Sequence, residues 1–324
     1  MDLSIIIVNW NSVEYLRACL SSVYRESHGV SLEVIVVDNA SYDGCEKLLR
    51  EQFPSVVFIQ SHENLGFSRA NNLGFTRSSG DLLLFLNPDT EFGESALAKM
   101  LARLRSNPSV GAVGARLLNS DGSLQTSCVQ AFPTICNQVV DSELLRKAFP
   151  KSHLWGTGAL LSTDGKPAEV DAISGACFMV KRNVFEKVGL FGEQYFMYVD
   201  DLDLSYRIRK AGYSIEYLND CTVVHHGRKS SEKQESHFSD LRQRESLLKF
   251  FRITRGDSYA SLYRVALAAS AVSRLALVAV SLPFGRFAFQ GKSPASVFRK
   301  WARILQWAVG LKSWPAASEC QVRP

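Results

Sequence analysis

The sequence predicts an α/β fold, a mostly parallel sheet with helices on both faces, followed by a basic helical C-terminal segment. Three observations carry this. Short apolar runs alternate with helix-length intervals through the first ninety residues, the βαβ pattern of a parallel sheet. The runs are apolar throughout instead of alternating, as strands covered on both faces are. Charge also divides along the chain: from Phe250 onward there are 11 Lys and Arg against 2 Asp and Glu, a net +9, whereas residues 1–249 carry 26 against 30, a net −4. The overall +5 therefore belongs to the tail.

The elements follow in order. "LSIIIV" at 3–8, "LEVIVV" at 32–37, "VVFI" at 56–59 and "DLLLFL" at 81–86 read as strands, with helices over 12–27, 42–52 and 67–78. Ligands of such sheets sit at the carboxyl ends of the strands. Those ends carry Asn9 and Asn11, Asp38 and Asn39, His62 to Asn64, and Asn87 and Asp89. Residues 119–170 lose periodicity and hold the turn signals "NSDGS" and "STDGKP", an irregular excursion suited to acceptor or lid contacts. Then come "AISGACFMV" as one strand, a helix from near Asn183, an acidic segment opening another helix, and "YSIEYL" and "CTVVHH" as two short strands. A domain boundary is expected at residue 249. Beyond it, "VALAASAVSRLALVAVSLPF" at 265–284 has the length of a membrane helix but carries Arg274 in its middle, where a charge is costly in lipid. After Pro294, Val297, Trp301, Ile304, Leu305 and Ala308 recur at helical spacing opposite Arg299, Lys300, Arg303 and Gln306, the pattern of a helix on an anionic membrane surface.

Composition narrows the class. With 46% hydrophobic and 21% charged residues the chain is globular in type, not disordered. Seven scattered cysteines form neither zinc nor dithiol spacing and suit a reducing cytosol. The opening "MDLSIIIVNW" has an acidic start and a short apolar run, which suits a buried strand, not a signal peptide. Neither GXXXXGK[ST] nor GXGXXG occurs, which argues against P-loop and dinucleotide chemistry. In the tail the basic residues alternate with apolar ones and Trp, a poor match to nucleic acid.

Several motifs carry chemistry. In "FLNPDT" a buried strand delivers Asn87 and Asp89 to its end, oxygen ligands for Mg²⁺ or Mn²⁺ with phosphates; Asp89 alternatively caps the helix from about Glu94. In "VVDNAS", Asp38 is placed to accept hydrogen bonds from a base or ribose, or else to cap the next helix, which Ser41 and Asp43 are ready to start. "ENLGFSRANNLGF" offers Asn64, Gly66, Arg69, Asn71 and Asn72, with Gly for close backbone approach and Arg for phosphate. In "FMYVDDLDLSYR" a helix beginning at Asp200 eases the cost of adjacent acids, and Asp203 lies four residues before Arg207, the spacing of a helical ion pair. Asp201 has no such partner in sequence and is the free carboxylate, available as a general base. "CTVVHHGRKSS" ends in His225 and His226, structural histidines or an imidazole completing an oxygen-rich metal site, with Arg228 and Lys229 facing diphosphate or solvent.

In this order "VNWN", "VDNASYDG", "ENLGFSRANN", "LNPDT", "SGACFMVKRNVFEKVGLF", "FMYVDDLDLSYRIRKAGY" and "VVHHGRKSS" resemble the GT-A glycosyltransferases of family 2, most closely bacterial rhamnosyltransferase-like members, over about residues 3–231. The resemblance implies a Rossmann-like GT-A domain, a nucleotide-sugar donor and inverting transfer to an acceptor hydroxyl. It implies Asn9 and Asp38 on the nucleoside and Asn64, Gly66 and Asn71 lining the donor pocket. Asp89 matches the metal-binding acid of the family's Asp-any-Asp motif, with Asn87 in place of the first Asp and so in the donor pocket. His225 matches a metal-ligand histidine, the adjacent His226 leaving the register open. Gly175 and Ala176 match a strand beside the acceptor, Gly192 stands where Asp is frequent, and Asp201 matches the base. As base Asp201 is expected to be ionised, favoured by the helix terminus and the nearby Mg²⁺ or Mn²⁺. The expected function is transfer of rhamnose from dTDP-rhamnose to a lipid-linked or polysaccharide acceptor, by a cytoplasmic protein held peripherally on the inner membrane face. Alternatives are a UDP-hexose donor, a nucleotide-sugar hydrolase, or a non-catalytic nucleotide-sugar-binding membrane protein.

Overall fold

The computed structural model describes residues 1–140, 143–149, 151–161, 165–227, 236–281 and 293–311. It divides into two compact units, residues 1–132 with 143–234, and residues 133–142 with 235–324.

In the first unit the strand-helix alternation runs β1 (Leu3–Asn9), α1 (Val13–Glu26), β2 (Leu32–Asp38), α2 (Cys45–Gln52), β3 (Val57–Gln60), α3 (Gly66–Phe75), β4 (Leu82–Leu86), β5 (Thr90–Phe92), α4 (Ala96–Ser106) and β6 (Val110–Leu118). β1 pairs in parallel with β2 and β4, and β2 with β3. Their side chains are almost wholly buried, Ile5, Ile6, Ile7, Val34–Val37 and Leu83–Phe85 among them. That explains why the runs lack alternation: both faces are covered. Helix α1 supplies one cover through Leu16, Cys19, Leu20 and Val23, one stripe at helical spacing.

Three readings of the later elements are corrected. "AISGACFMV" is not one strand but two in separate sheets, because the strand is interrupted at Ser174–Ala176: the excursion holds β7 (Val129–Gln130), α6 (Glu143–Ala148) and β8 (Ala168–Glu169), and after it come β9 (Ala172–Ile173) and β10 (Cys177–Lys181), with β9 on β7 and β10 in the main sheet. Gly175 and Ala176 thus lie in a break, not a strand. "YSIEYL" and "CTVVHH", conversely, form one strand. After α7 (Arg182–Lys187) and α8 (Asp200–Lys210), β11 runs from Ser214 to His225 and crosses residues 219–221 through a register shift against β6. The main sheet has the order β3-β2-β1-β4-β10-β6-β11-β5, with β8 also on β11. β10 is antiparallel to β4 and β6, while β6 and β11 are parallel. Beneath it Phe85, Phe185 and Phe191 pack with centroids 4.7–5.5 Å apart, a favourable edge-to-face range.

The second unit consists of α5 (Ile135–Val140), α9 (Ser236–Arg255), α10 (Asp257–Ser281) and α11 (Pro294–Ala308); α9 passes without interruption through residue 249. Ser293 caps α11 by accepting from the Ser296 N–H, with Pro294 at the first turn. Helix α10 is long and apolar enough to cross a membrane. Its two arginines are held by protein groups: Arg264 donates to the C-terminal carbonyls of Trp307 and Ala308 at 3.0 Å, and Arg274 donates to Val139 O and lies 4.4 Å over the Trp301 ring. Tyr263, Leu267, Ala271 and Val278 are buried, while Leu262, Val265, Val272, Leu277 and Val280 are each more than half exposed. The helix is apolar on both sides and covered on one.

Candidate functional site

Strands β1, β2, β4 and β11 and helices α3 and α8 bring the site residues to the first unit's sheet ends. Asp38, at the end of β2, is fully buried and bonded from every side. Asn9 Nδ2 donates to Oδ1 at 3.0 Å, the N–H groups of Ser41 and Tyr42 and Gln60 Nε2 donate to Oδ2 at 3.1, 3.1 and 2.8 Å, and Ser41 Oγ donates to Oδ1. Burial alone would raise this carboxyl; the donors from Ser41, Gln60, Tyr42 and Asn9 outweigh it and hold it below the usual range. Asp43, read as a local helix starter, instead accepts chiefly across the fold, from the Ser12 and Val13 N–H groups at 2.9 and 3.0 Å. It therefore caps α1, a residue that only long-range contacts reveal. Asn9 Oδ1 is buried and lacks a partner among the described residues, so a donor from outside the chain would satisfy it.

The donor-loop candidates separate. Asn64 Oδ1 accepts from Asn39 Nδ2 at 2.9 Å and from Gly66 N at 3.0 Å. Gly66 is left-handed at φ +74, and an added Cβ would lie 2.2 Å from the Phe196 carbonyl, so only glycine fits. The Phe67 N–H donates to that same carbonyl at 2.9 Å. Asn71 spends its side-chain amide on Phe67 O inside α3, and Asn72 binds the Phe191 backbone at 3.0 and 3.1 Å. Both tie the loop to its scaffold. Arg69 pairs loosely with Glu193 at 3.9 Å on the surface.

At the ends of β4 and β11, Asp89 Oδ1 lies 3.3 Å from His225 Nε2, and Asn87 Nδ2 lies 3.2 Å from the same nitrogen. The structure brings His225 to Asp89 and turns His226 away, onto Glu91 Oε1 at 2.7 Å and Ser120 Oγ at 2.8 Å. Asp89 does not cap α4, which starts at Ala96 without a side-chain cap. Two ligands bound cis on one octahedral ion, each at ~2.1 Å, lie about 3 Å apart, so the Asp89–His225 spacing and its oxygen-plus-imidazole donor set fit Mg²⁺ or Mn²⁺. Asp38, Asp43 and Cys45 also gather ligand atoms within 4.8 Å. That cluster does not fit a cation: both carboxylates face N–H donors, and burial pushes the Cys45 thiol up, keeping it protonated. Arg228 and Lys229 lie outside the described residues, as do residues 162–164 of the second turn signal.

Helix α8 begins at Asp200, and Asp203 pairs with Arg207 at 2.8 Å. Asp201 is not without partners: Gly175 N donates to Oδ2 at 2.9 Å and Leu202 N to Oδ1 at 2.8 Å. The first of these, from a residue 26 positions away, was invisible in sequence. Burial pushes the Asp201 carboxyl up against those two donors, opposite in direction to the pull of the helix terminus. Burial and the adjacent Asp201 charge push the buried Asp200 well up too. Preceding them, Tyr198 and Val199 are both left-handed, at φ 67 and 70. For a β-branched residue that is strained backbone, and it lies where the acids enter the helix.

The chain belongs to glycosyl transferase family 2, whose pattern matches residues 4–189. It is 29% identical over 237 residues to N-acetylglucosaminyl-diphospho-decaprenol L-rhamnosyltransferase of Mycobacterium tuberculosis, covering 69% of this chain and 76% of that protein. It is 29% identical over 251 residues to a low-salt glycan biosynthesis hexosyltransferase of Haloferax volcanii, covering 75% and 74%. Among solved structures, the mannosyltransferase PcManGT from Pyrobaculum calidifontis, in complex with GDP-Man and Mn²⁺, matches with a TM-score of 0.60 at 22% identity, over 95% of this chain and 86% of that one. The fold is thus of the GT-A type, as the motifs implied, and the chain is a glycosyltransferase.

Proposed function

We propose that this protein transfers rhamnose from dTDP-rhamnose, with inversion, to a hydroxyl of a lipid-linked glycan. The observation that carries the chemistry is the pairing of two unlike carboxylates in one domain, Asp89 beside an imidazole and Asp201 with a raised pKa at a helix start. The rhamnosyltransferase relative, whose name specifies a diphospho-decaprenol acceptor, supports the choice of sugar and acceptor. The buried, unsatisfied Asn9 Oδ1 suits a nucleobase that presents a ring N–H, as thymine, uracil and guanine all do, so it supports a nucleotide donor without selecting the base.

In this reading Asn9 and Asp38 form the nucleoside end, and Asn64, Gly66, Asn71 and Asn87 shape the donor pocket. Asp89 and His225 would hold the Mg²⁺ or Mn²⁺, which when bound would neutralise charge on the departing nucleoside diphosphate. Asp201 takes the acceptor hydroxyl's proton as that oxygen bonds to the anomeric carbon and the bond to the diphosphate oxygen breaks. A single displacement inverts the centre. A raised pKa suits a base that must gain a proton at the transition state and lose it afterwards.

The second unit suits a membrane surface. Over residues 236–281 and 293–311 there are ten Lys and Arg against three Asp and Glu, and α10 adds its exposed face of Leu262, Val265, Val272, Leu277 and Val280. Lying in the interface satisfies both features; crossing would carry Arg264 and Arg274 into hydrocarbon. The protein is then cytoplasmic and peripheral. Anionic liposomes should sediment the wild type and release the Val265→Asp/Val272→Asp/Leu277→Asp variant; unchanged sedimentation refutes this face.

Purified protein incubated with a panel of nucleotide sugars, Mg²⁺ or Mn²⁺ and a polyprenyl-diphospho-N-acetylglucosamine tests the reaction. Acceptor-dependent consumption of dTDP-rhamnose is expected. Consumption of UDP-hexose instead would replace the donor, equal hydrolysis without acceptor would make the protein a hydrolase, and binding without turnover would make it a scaffold.

A further inference from the structure

The excursion after β6 sends one side chain to the acid-imidazole pair. Gln125 is anchored by its own backbone, its N–H donating to Leu117 O at 2.9 Å and its carbonyl accepting from Cys128 N at 3.2 Å. Its side-chain amide makes two contacts with a single residue, His225: Nε2 with the backbone carbonyl at 2.6 Å and Oε1 with ring Nδ1 at 2.9 Å.

These two contacts determine where the hydrogens are. A backbone carbonyl can only accept, so the NH₂ end of the amide must face it. Oε1 then faces the ring and can itself only accept, so Nδ1 must carry the hydrogen. In the neutral imidazole that leaves a lone pair on Nε2. Nε2 is the nitrogen 3.3 Å from Asp89 Oδ1, and Asn87 Nδ2, a donor, lies 3.2 Å from it. In the other tautomer Nε2–H would donate to Asp89. The two candidate ligands would then satisfy each other, closing the place between them.

We propose that Gln125 is a positioning residue, which holds His225 as its Nδ1–H tautomer and keeps Nε2 and Asp89 open to a divalent cation. This rests on the reading of Asp89 and His225 as the cation's ligands. Outer partners of this kind orient a ligating imidazole and fix its tautomer, and their loss typically weakens metal binding about 10–100-fold.

Two measurements on the full-length protein test it. Long-range ¹H–¹⁵N NMR of ¹⁵N-histidine-labelled protein at alkaline pH, without metal, reads the tautomer directly, His225 being identified by its loss in His225→Gln. The wild type should have a protonated Nδ1 and an unprotonated Nε2, Gln125→Glu should keep that state through its carboxylate acceptor, and Gln125→Met should lose it. A wild-type His225 protonated at Nε2 overturns the proposal whether or not any variant folds. Mn²⁺ titration followed by electron paramagnetic resonance, with dTDP present, gives the second readout: Gln125→Met should weaken binding about 10–100-fold, and wild-type affinity in a folded Gln125→Met overturns the proposal. Asp89→Ala and His225→Ala separate the two levels. If both bind Mn²⁺ as wild type does, the cation reading fails; if both lose it and Gln125→Met does not, only the role of Gln125 fails.

Discussion

Asp38 and Asp201 are both enclosed carboxylates at the ends of regular elements, yet their surroundings push them in opposite directions. Asp38 accepts from four residues, including two backbone N–H groups, and is held ionised. Asp201, part-buried, accepts from two backbone N–H groups, sits beside the buried Asp200, and is pushed up. Burial costs the charge in both places, and the number of donors decides the outcome. Asp38 is built as a permanent charge that pins the ends of β1, β2 and β3 together. Asp201 is built to change its protonation state.

The sharpest way to break this contrast is to neutralise each acid. Asp201→Asn should lower transfer by about 10²–10⁴-fold, the range of general-base catalysis, while calorimetric donor affinity stays near wild type; retained transfer removes Asp201 from the chemistry. Asp38→Asn should act foremost on stability, losing about 3 kcal/mol in urea denaturation, because an amide turned into a ring of donors leaves buried groups unpaired, and it should weaken donor affinity with it. By the same comparison Asp201→Asn should change stability by only about 1 kcal/mol or less.

Acidity should sharpen the difference further. The folded-state pKa of Asp38 is below its ordinary 3.8, so its stabilisation is present above that value and is lost as pH falls through the folded one. Asp200 and Asp201 lie above 3.8 when folded, so their charges cost stability at neutral pH and acidification through the raised values relieves that cost. Asp200→Asn should therefore raise stability at pH ~7 and not at low pH, whereas Asp38→Asn should lower it at neutral pH. Transfer should rise with pH through an apparent pKa above 3.8, and a profile flat across the acid range would deny Asp201 its role. The smallest effect belongs to Val199→Gly. Relief of the left-handed strain should add about 1 kcal/mol to stability, while transfer falls as the start of α8 loosens; a gain in both would detach the strain from the positioning of Asp201.

Much of the fold was legible because strands covered on both faces leave continuous apolar runs. β1 to β4 and the helices between them follow from that pattern. β6 does not, since Gly111 and Gly114 interrupt its run; yet each has a packing reason, with added Cβ atoms falling 2.8 Å from Tyr213 and Ile173. The same lack of a local signal hid the break at Ser174–Ala176 and the fusion of β11, which depend on pairing with distant strands. For the candidate site, Asp201 stood out by elimination, because Asp203 had Arg207 at helical spacing and Asp200 had the helix start. Asp43 and Gln125 were missed because their partners are 31 and 100 residues away, and no spacing rule reaches across such intervals.

One further consequence follows from Gly66. The Phe196 carbonyl both excludes a side chain at Gly66 and accepts the next residue's N–H, and the Phe196 segment runs straight on into α8. The loop that would embrace the sugar and the helix that carries Asp201 therefore share a hinge pin. For protein engineering, sugar preference cannot be retuned by enlarging that loop residue without also disturbing the far carboxylate. Libraries aimed at new donors belong on Arg69, which pairs loosely with Glu193 at the surface, because Asn64 holds the Gly66 N–H and Asn87 lies against the His225 ring.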